Sequence, residues 1–244
     1  MIRLHDVAKA FNRPVLSGVD LVVPPGCLTG LVGPGATGKS IVLKTICGLV
    51  RPDSGQVEVG GHDVLSMSEI ELGEYRKGIG MVFQNNALFD FMTVSENIAF
   101  PLRRLFHLRE DEIAERVAER LARVGLPGFE NRLPAGLSGG QKKRVAVARA
   151  TVINAQIVLY DEPAAGLDPV TSQRIFDLLR EEQQQAKSTV IMVSSDIDRL
   201  LTVTDRVGMM HQGALVFEGT TGDAQRSSDP VVRQFLRGEA EGPL

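Results

Sequence analysis

Eight consecutive residues, Gly33-Pro34-Gly35-Ala36-Thr37-Gly38-Lys39-Ser40, carry the spacing G-x-x-x-x-G-K-[ST]. Glycines let the backbone bend until several N–H groups point at phosphate oxygens. A helix N-terminus behind them adds positive partial charge. Lys39 supplies a full charge for β- and γ-phosphates, and the Ser40 hydroxyl is an oxygen donor suited to Mg²⁺. Further on, the apolar run Ile157-Val158-Leu159-Tyr160 ends in Asp161-Glu162. Asp161 there suits Mg²⁺, directly or through water, and Glu162 suits orienting and deprotonating an attacking water. Between the two lies Leu137-Ser138-Gly139-Gly140-Gln141. Ser138 is a good N-cap, and the glycines leave N–H groups open to an anion, although such a sequence alone is also an ordinary capped turn.

The elements that must position these residues follow from periodicity. Ile2, Leu4 and Val7 suggest a strand, Leu16 to Val23 a second, and Cys27 to Val32 a buried third that runs into the phosphate loop. Ser40 to Leu49 is predicted helical, Gln56 to Val59 and Ile79 to Gln84 are predicted strands. The middle changes character: Ile113, Val117, Leu121 and Val124 have helical spacing, and Ser138 to Val152 reads as the next helix. A mainly helical lobe is therefore expected over residues 93–150. Strand–helix alternation resumes with Gln156–Tyr160, Val170–Gln185 and Thr189–Val193. A hairpin turns at His211-Gln212-Gly213, and Asp229–Arg237 is a last short helix. Such alternation implies an α/β fold with a largely parallel sheet. No internal repeat is visible, so a single unit rather than a tandem pair is expected.

Bulk properties narrow the function classes. The 244 residues are 43% hydrophobic and 23% charged, as in ordinary globular proteins, and the net charge of −3 argues against nucleic acid as a partner. Cys27 and Cys47 lie in apolar stretches and read as small buried hydrophobes rather than a disulfide pair. No apolar run is long enough to span a bilayer, and Met1 to Val7 lacks signal-peptide features. The expectation is a cytosolic chain whose membrane role, if any, requires a separate partner.

With the phosphate loop, LSGGQ at 137–141 and the carboxylates at 161–162 in this order, the chain resembles the ABC ATPase family. The resemblance covers nearly its whole length. It implies a P-loop NTPase (RecA-like) core with an N-terminal antiparallel β subdomain and an inserted helical lobe. One domain over 1–244 is expected, with 1–92 and 151–244 as core and 93–150 as lobe. Gln84 matches the Q-loop glutamine, and Ala165-Gly166-Leu167-Asp168 the D-loop. Phe11 falls where the family stacks an aromatic on adenine; taken alone it is equally a core residue.

The cofactors implied are ATP and Mg²⁺. Glu162, Lys39 and Gln84 are implied as catalytic, and Ser40, Gln84 and Asp161 as metal ligands. Gly33 to Ile41 (with Pro34, Gly35, Ala36, Thr37, Gly38, Lys39 and Ser40), Phe11, Ser138, Gly139, Gly140, Gln141 and Ser195 are implied at the nucleotide. Two copies are implied to pair head-to-tail with ATP between the phosphate loop of one and LSGGQ of the other. An integral-membrane permease would bind the apolar region after Gln84. The run ALFDFMTVSENIAFPLR at 87–103 is similar to Mla/Mce-type lipid transporters, which implies hydrophobic cargo, Mce-like substrate-binding subunits and the cytoplasmic face of the inner membrane.

Three residues depart from the family. Ala36 stands where glycine is usual, and Gly35 beside it is expected to absorb the strain. Ile41 replaces a threonine hydroxyl. Ser195 occupies the position of the switch histidine, and His211, expected at a surface turn, is no substitute. Two activities stay open: an ATPase relying on Glu162, or an ATP-binding regulatory subunit with weak hydrolysis. A soluble ABC ATPase outside transport is a further alternative, although the tandem motors or coiled-coil insertion usual there are missing.

Overall fold

Strand alternation and helical spacing resolve, in the computed structural model of residues 1–244, into ten strands, nine α-helices and two short 3₁₀ turns. The strands are β1 (Ile2–Ala10), β2 (Pro14–Val23), β3 (Leu28–Val32), β4 (Ser54–Val59), β5 (His62–Asp63), β6 (Ile79–Val82), β7 (Ile157–Asp161), β8 (Thr189–Val193), β9 (Arg206–His211) and β10 (Ala214–Thr220). The helices are α1 (Lys39–Ile46), α2 (Glu69–Arg76), α3 (Val94–Leu105), α4 (Glu110–Arg123), α5 (Gly139–Thr151), α6 (Pro169–Ala186), α7 (Ile197–Val203), α8 (Thr221–Gln225) and α9 (Pro230–Arg237). They fall into two compact units, Met1–Glu74 with Thr189–Leu244, and Tyr75–Ser188.

In the first unit β1 is the centre of an antiparallel sheet, pairing Ile2 with Val23 of β2 and with Val59 of β4. The step of three from Leu4 to Val7 has a physical cause. Asp6 takes φ 48° and the register shifts there, so both side chains still face the core. Gly55 fits against this bulge because a Cβ would lie 2.4 Å from the Asp6 carbonyl. The parallel sheet is built on β3, all five of whose residues are buried, as expected of a strand covered on both faces. β8 and β9 flank it in parallel, and β10 returns antiparallel along β9.

In the second unit β6 and β7 are parallel, with Val82 opposite Tyr160. Thr93 and Glu96 form a reciprocal cap that opens α3. The predicted amphipathic helix is α4, which buries Ile113, Val117 and Leu121. It also buries Arg120, paired with Glu182 of α6, while Arg123 holds the other carboxylate oxygen at 3.2 Å. Asp168 caps α6 by accepting from the N–H groups of Val170 and Thr171.

The observed boundaries differ from the expected ones by up to three residues, and α2, α3, α7, α8 and β5 are not individually expected from the sequence. Two expectations are corrected. His211 is not at the surface turn: it ends β9, and its Nδ1 is buried. Cys27 is half-buried rather than buried, since β3 begins only at Leu28; both cysteines are free thiols.

Candidate nucleotide site

The phosphate loop lies in the first unit. β3 delivers it and α1 receives it, as the sequence pattern requires. Gly33 has φ 137°, and a Cβ there would sit 2.1 Å from the Met210 carbonyl of β9. Gly38 has φ 94°, and a Cβ would meet Leu16 Cδ2 at 2.5 Å and the Val15 carbonyl at 2.8 Å. The loop is thus seated directly on β9 and the start of β2, with no room for side chains at its two ends. Thr37 Oγ1 donates to the Pro34 carbonyl at 2.9 Å and ties the bend. Lys39 Nζ donates to the carbonyls of Gly33 and Pro34, both at 2.7 Å. Its ammonium is thereby held over the loop's own backbone. No side chain caps α1 and no acidic residue lies in its first turn, which leaves that positive end to an anion.

Ala36, not Gly35, takes the left-handed conformation, with φ 59°. The expectation that Gly35 would absorb the strain is therefore corrected. Ala36 is exposed, so its methyl meets no wall, and the cost is confined to its own backbone. The Ile41 N–H donates to the Gly38 carbonyl at 2.9 Å within the first helical turn.

Phe11 stands in the β1–β2 turn and is 59% exposed, with Lys9 Nζ 5.4 Å from its ring centre. It is not a core residue. That turn is linked to the phosphate loop through β2: Ser17 N–H donates to Gly213 of the β9–β10 turn, and Val15 and Leu16 underlie Gly38. Ser195 is exposed just past β8. Because Leu31 pairs with Val193, the phosphate loop and Ser195 leave the same end of the parallel sheet.

The carboxylates and the LSGGQ turn lie in the second unit. Asp161 ends β7 and is buried; Glu162 follows at φ 50°, a conformation disfavoured for a non-glycine residue. Gln84 is exposed two residues beyond β6. Ser138 caps α5 reciprocally with Gln141: the Gln141 N–H donates to Ser138 Oγ at 3.3 Å, and the Ser138 N–H to Gln141 Oε1 at 2.9 Å. A Cβ on Gly140 would lie 2.7 Å from Thr171 Cγ2, so this glycine also lets α5 approach α6.

Two cations without an expected role also border these residues. Lys143 and Arg149 of α5 turn inward and donate to backbone carbonyls, Lys143 to Gln84 and Glu162, Arg149 to Asn86 and Ala87. Burial pushes the Lys143 ammonium down, opposed by the nearby charges of Glu162 and Asp161, and burial pushes Arg149 down as well. A sequence signal existed: both interrupt an otherwise apolar and small-residue helix face.

No cluster of three or more His, Cys, Asp or Glu could hold a metal alone. Ser40 in the first unit, and Gln84 and Asp161 in the second, each carry a side-chain oxygen of the kind that Mg²⁺ accepts as a ligand.

A family profile described as "ABC transporter" matches residues 16–165. The probable ribonucleotide transport ATP-binding protein mkl of Mycobacterium tuberculosis is 40% identical over 244 residues, spanning 100% of this chain and 68% of that protein. The intermembrane phospholipid transport system ATP-binding protein MlaF of Haemophilus influenzae is 36% identical over 236 residues, 97% of this chain and 89% of that protein. Among solved structures, the dimeric post-hydrolysis state of the ATP-binding cassette MJ0796 bound to ADP and Pi superposes with a TM-score of 0.84. It is 31% identical and covers 91% of this chain and 99% of that one.

Proposed function

This chain belongs to the ABC transporter family of ATP-hydrolysing cassettes, and from that premise we propose that it drives a separate membrane permease carrying phospholipid or other hydrophobic cargo. The observation that carries the permease reading is an open apolar groove of about 400 Å³ in the second unit, lined by Phe83, Phe89, Phe100, Pro101 and Leu105. Phe89 and Phe100 meet at a 50° tilt with ring centres 4.8 Å apart, and Phe91 beside them is 78% exposed. Apolar surface of this kind fits a helix from a partner. No helix of the chain is long and apolar enough to cross a membrane itself. The cargo reading is supported by the full-length similarity to MlaF. With it come Mce-like subunits and a place on the cytoplasmic face of the inner membrane.

The residue roles belong to the same proposal. Phe11 stacks on adenine; the backbone of Gly33–Ile41 and Lys39 hold the phosphates. Ser40, Gln84 and Asp161 would hold Mg²⁺, which supplies charge neutralisation at the phosphates when bound. Glu162 orients and deprotonates the attacking water. Residues Ser138–Gln141 of a second copy, related by a two-fold axis, close over the same ATP. The chain is one cassette, with core 1–92 and 151–244 and lobe 93–150.

Ser195 supports a second reading, a regulatory subunit with weak hydrolysis. A serine is shorter than the usual histidine and carries no charge at neutral pH. Purification from membranes tests the first reading: wild type should bring down an integral-membrane permease, and Phe100→Glu should lose it while still binding ATP. Equal recovery by both variants, or none by either, contradicts the groove assignment. Ser195→His separates the two activities. A large rise in turnover from a background level supports the regulatory reading; substantial turnover in wild type contradicts it.

A further inference from the structure

The parallel ladder between β6 and β7 ends at Val82 and Tyr160. Two residues beyond each end stand Gln84 and Glu162, past the last paired residues of this ladder; the Glu162 carbonyl also accepts from the Ala165 N–H at 3.3 Å. Both carbonyls turn to one ammonium: Lys143 Nζ donates to Gln84 at 2.7 Å and to Glu162 at 3.2 Å. Lys143 is 5% exposed, so these bonds form away from bulk water, where a lost partner is costly. The chain on both sides is in conformations that non-glycine residues seldom hold unaided. Glu162 has φ 50°, and Asn86 and Ala87, consecutive in the loop after Gln84, have φ 61° and 50°. Their carbonyls are held by Arg149, Asn86 by Nη2 and Ala87 by Nη1, each at 2.7 Å.

We propose that Lys143 is a positioning residue for hydrolysis, pinning the backbone of Gln84 and of Glu162 in one register, with Arg149 pinning the two left-handed residues that follow Gln84. The inference rests on the reading above that Glu162 and Gln84 act on ATP. Both cations lie on α5, whose N-cap is Ser138. One rigid helix therefore sets the LSGGQ turn, the Q-loop backbone and the origin of the Glu162 side chain. Neither cation touches nucleotide in this scheme; each acts through the backbone it holds. Arg149 also lines the apolar groove, with its guanidinium carbon 5.9 Å from the Phe89 ring centre. The same clamp thus borders the surface proposed for the permease.

The test uses the full-length chain with Lys143→Met, which keeps side-chain length and removes the charge, beside Lys143→Arg, Arg149→Met and Glu162→Gln. Three quantities are read: kcat and KM for ATP, thermal midpoint, and amide exchange over residues 83–88 and 161–165. Lys143→Met should lower kcat by tenfold or more, within the roughly hundredfold effect of a ~1 Å misplacement. KM should stay near wild type. Exchange should accelerate in both segments at once, while Arg149→Met should accelerate only the first. Lys143→Arg, with several donors, should recover most of the loss. Unchanged exchange in both segments overturns the proposal, as does loosening spread evenly over the unit with kcat and KM falling together. If Glu162→Gln keeps wild-type turnover, the catalytic reading fails instead; the exchange measurement, which needs no turnover, still decides the clamp.

Discussion

Ala36→Gly is expected to stabilise the chain slightly, and the magnitude follows from one dihedral. Ala36 sits at φ 59° in the phosphate loop, on the exposed side, and accepts the left-handed region without help from a neighbouring wall. That conformation costs an L-residue about 1–2 kcal/mol relative to its ordinary wells. Glycine removes the cost but loses about 0.4–1 kcal/mol through the greater freedom of its unfolded chain. The net expectation is about 0.5–1 kcal/mol of added stability, or roughly 1–4 °C in Tm for a chain of this length. Calorimetry at matched nucleotide concentrations measures it, since bound ATP raises Tm by itself. The loop supplies its own contrast. Gly33→Ala and Gly38→Ala would place a methyl 2.1 Å and 2.5 Å from existing atoms, and both should lose the phosphate loop and ATP binding. A drop in Tm for Ala36→Gly would refute the reasoning, because it would mean that the alanine methyl makes a favourable contact or that the loop relaxes elsewhere.

Thr93→Ala removes one side of the reciprocal cap on α3 and should cost ~1 kcal/mol in denaturant unfolding. Arg120→Met leaves Glu182 with Arg123 alone; the loss should be ~3 kcal/mol, the low end for a broken buried pair, because Arg123 stays 3.2 Å away. Asp168 is held below its ordinary carboxylate range by the Thr171 side chain first, then by backbone N–H groups of Thr171 and Val170. Its contribution is therefore present above the unfolded value of about 3.9 and lost as pH falls through the lower folded one. Asp168→Asn keeps a cap without the charge. Thermal midpoints of the two proteins should differ at neutral pH and converge below about pH 4; a gap that persists in acid contradicts the charge argument.

The fold was legible because its signals are local. The five buried residues of β3 lead into a glycine turn and a helix, and that succession admits few alternatives. Helical spacing in α4 is equally plain, since periodicity acts over a few residues. What is not legible depends on distant contacts. Arg120 in α4 looks like a solvated charge until Glu182, 62 residues later, comes to pair with it. Lys143 and Arg149 look like surface cations until β6 and β7 end and expose carbonyls to them. Ala87 gives no local hint of left-handed geometry, although Asn86 beside it is of a type that adopts it readily; the Arg149 bonds to both carbonyls come from α5 and are invisible locally. His211 shows the opposite error: beside Gln212-Gly213 it resembles a turn residue, but strand pairing with Ala214 carries it into β9.

Comparison of the full-length chain with Glu162→Gln in a single ATPase and nucleotide-retention assay tests the central claim most directly. The account predicts ATP turnover in wild type, loss of turnover in Glu162→Gln, and retention of bound ATP by that variant. Equal, background-level hydrolysis in both proteins would contradict it.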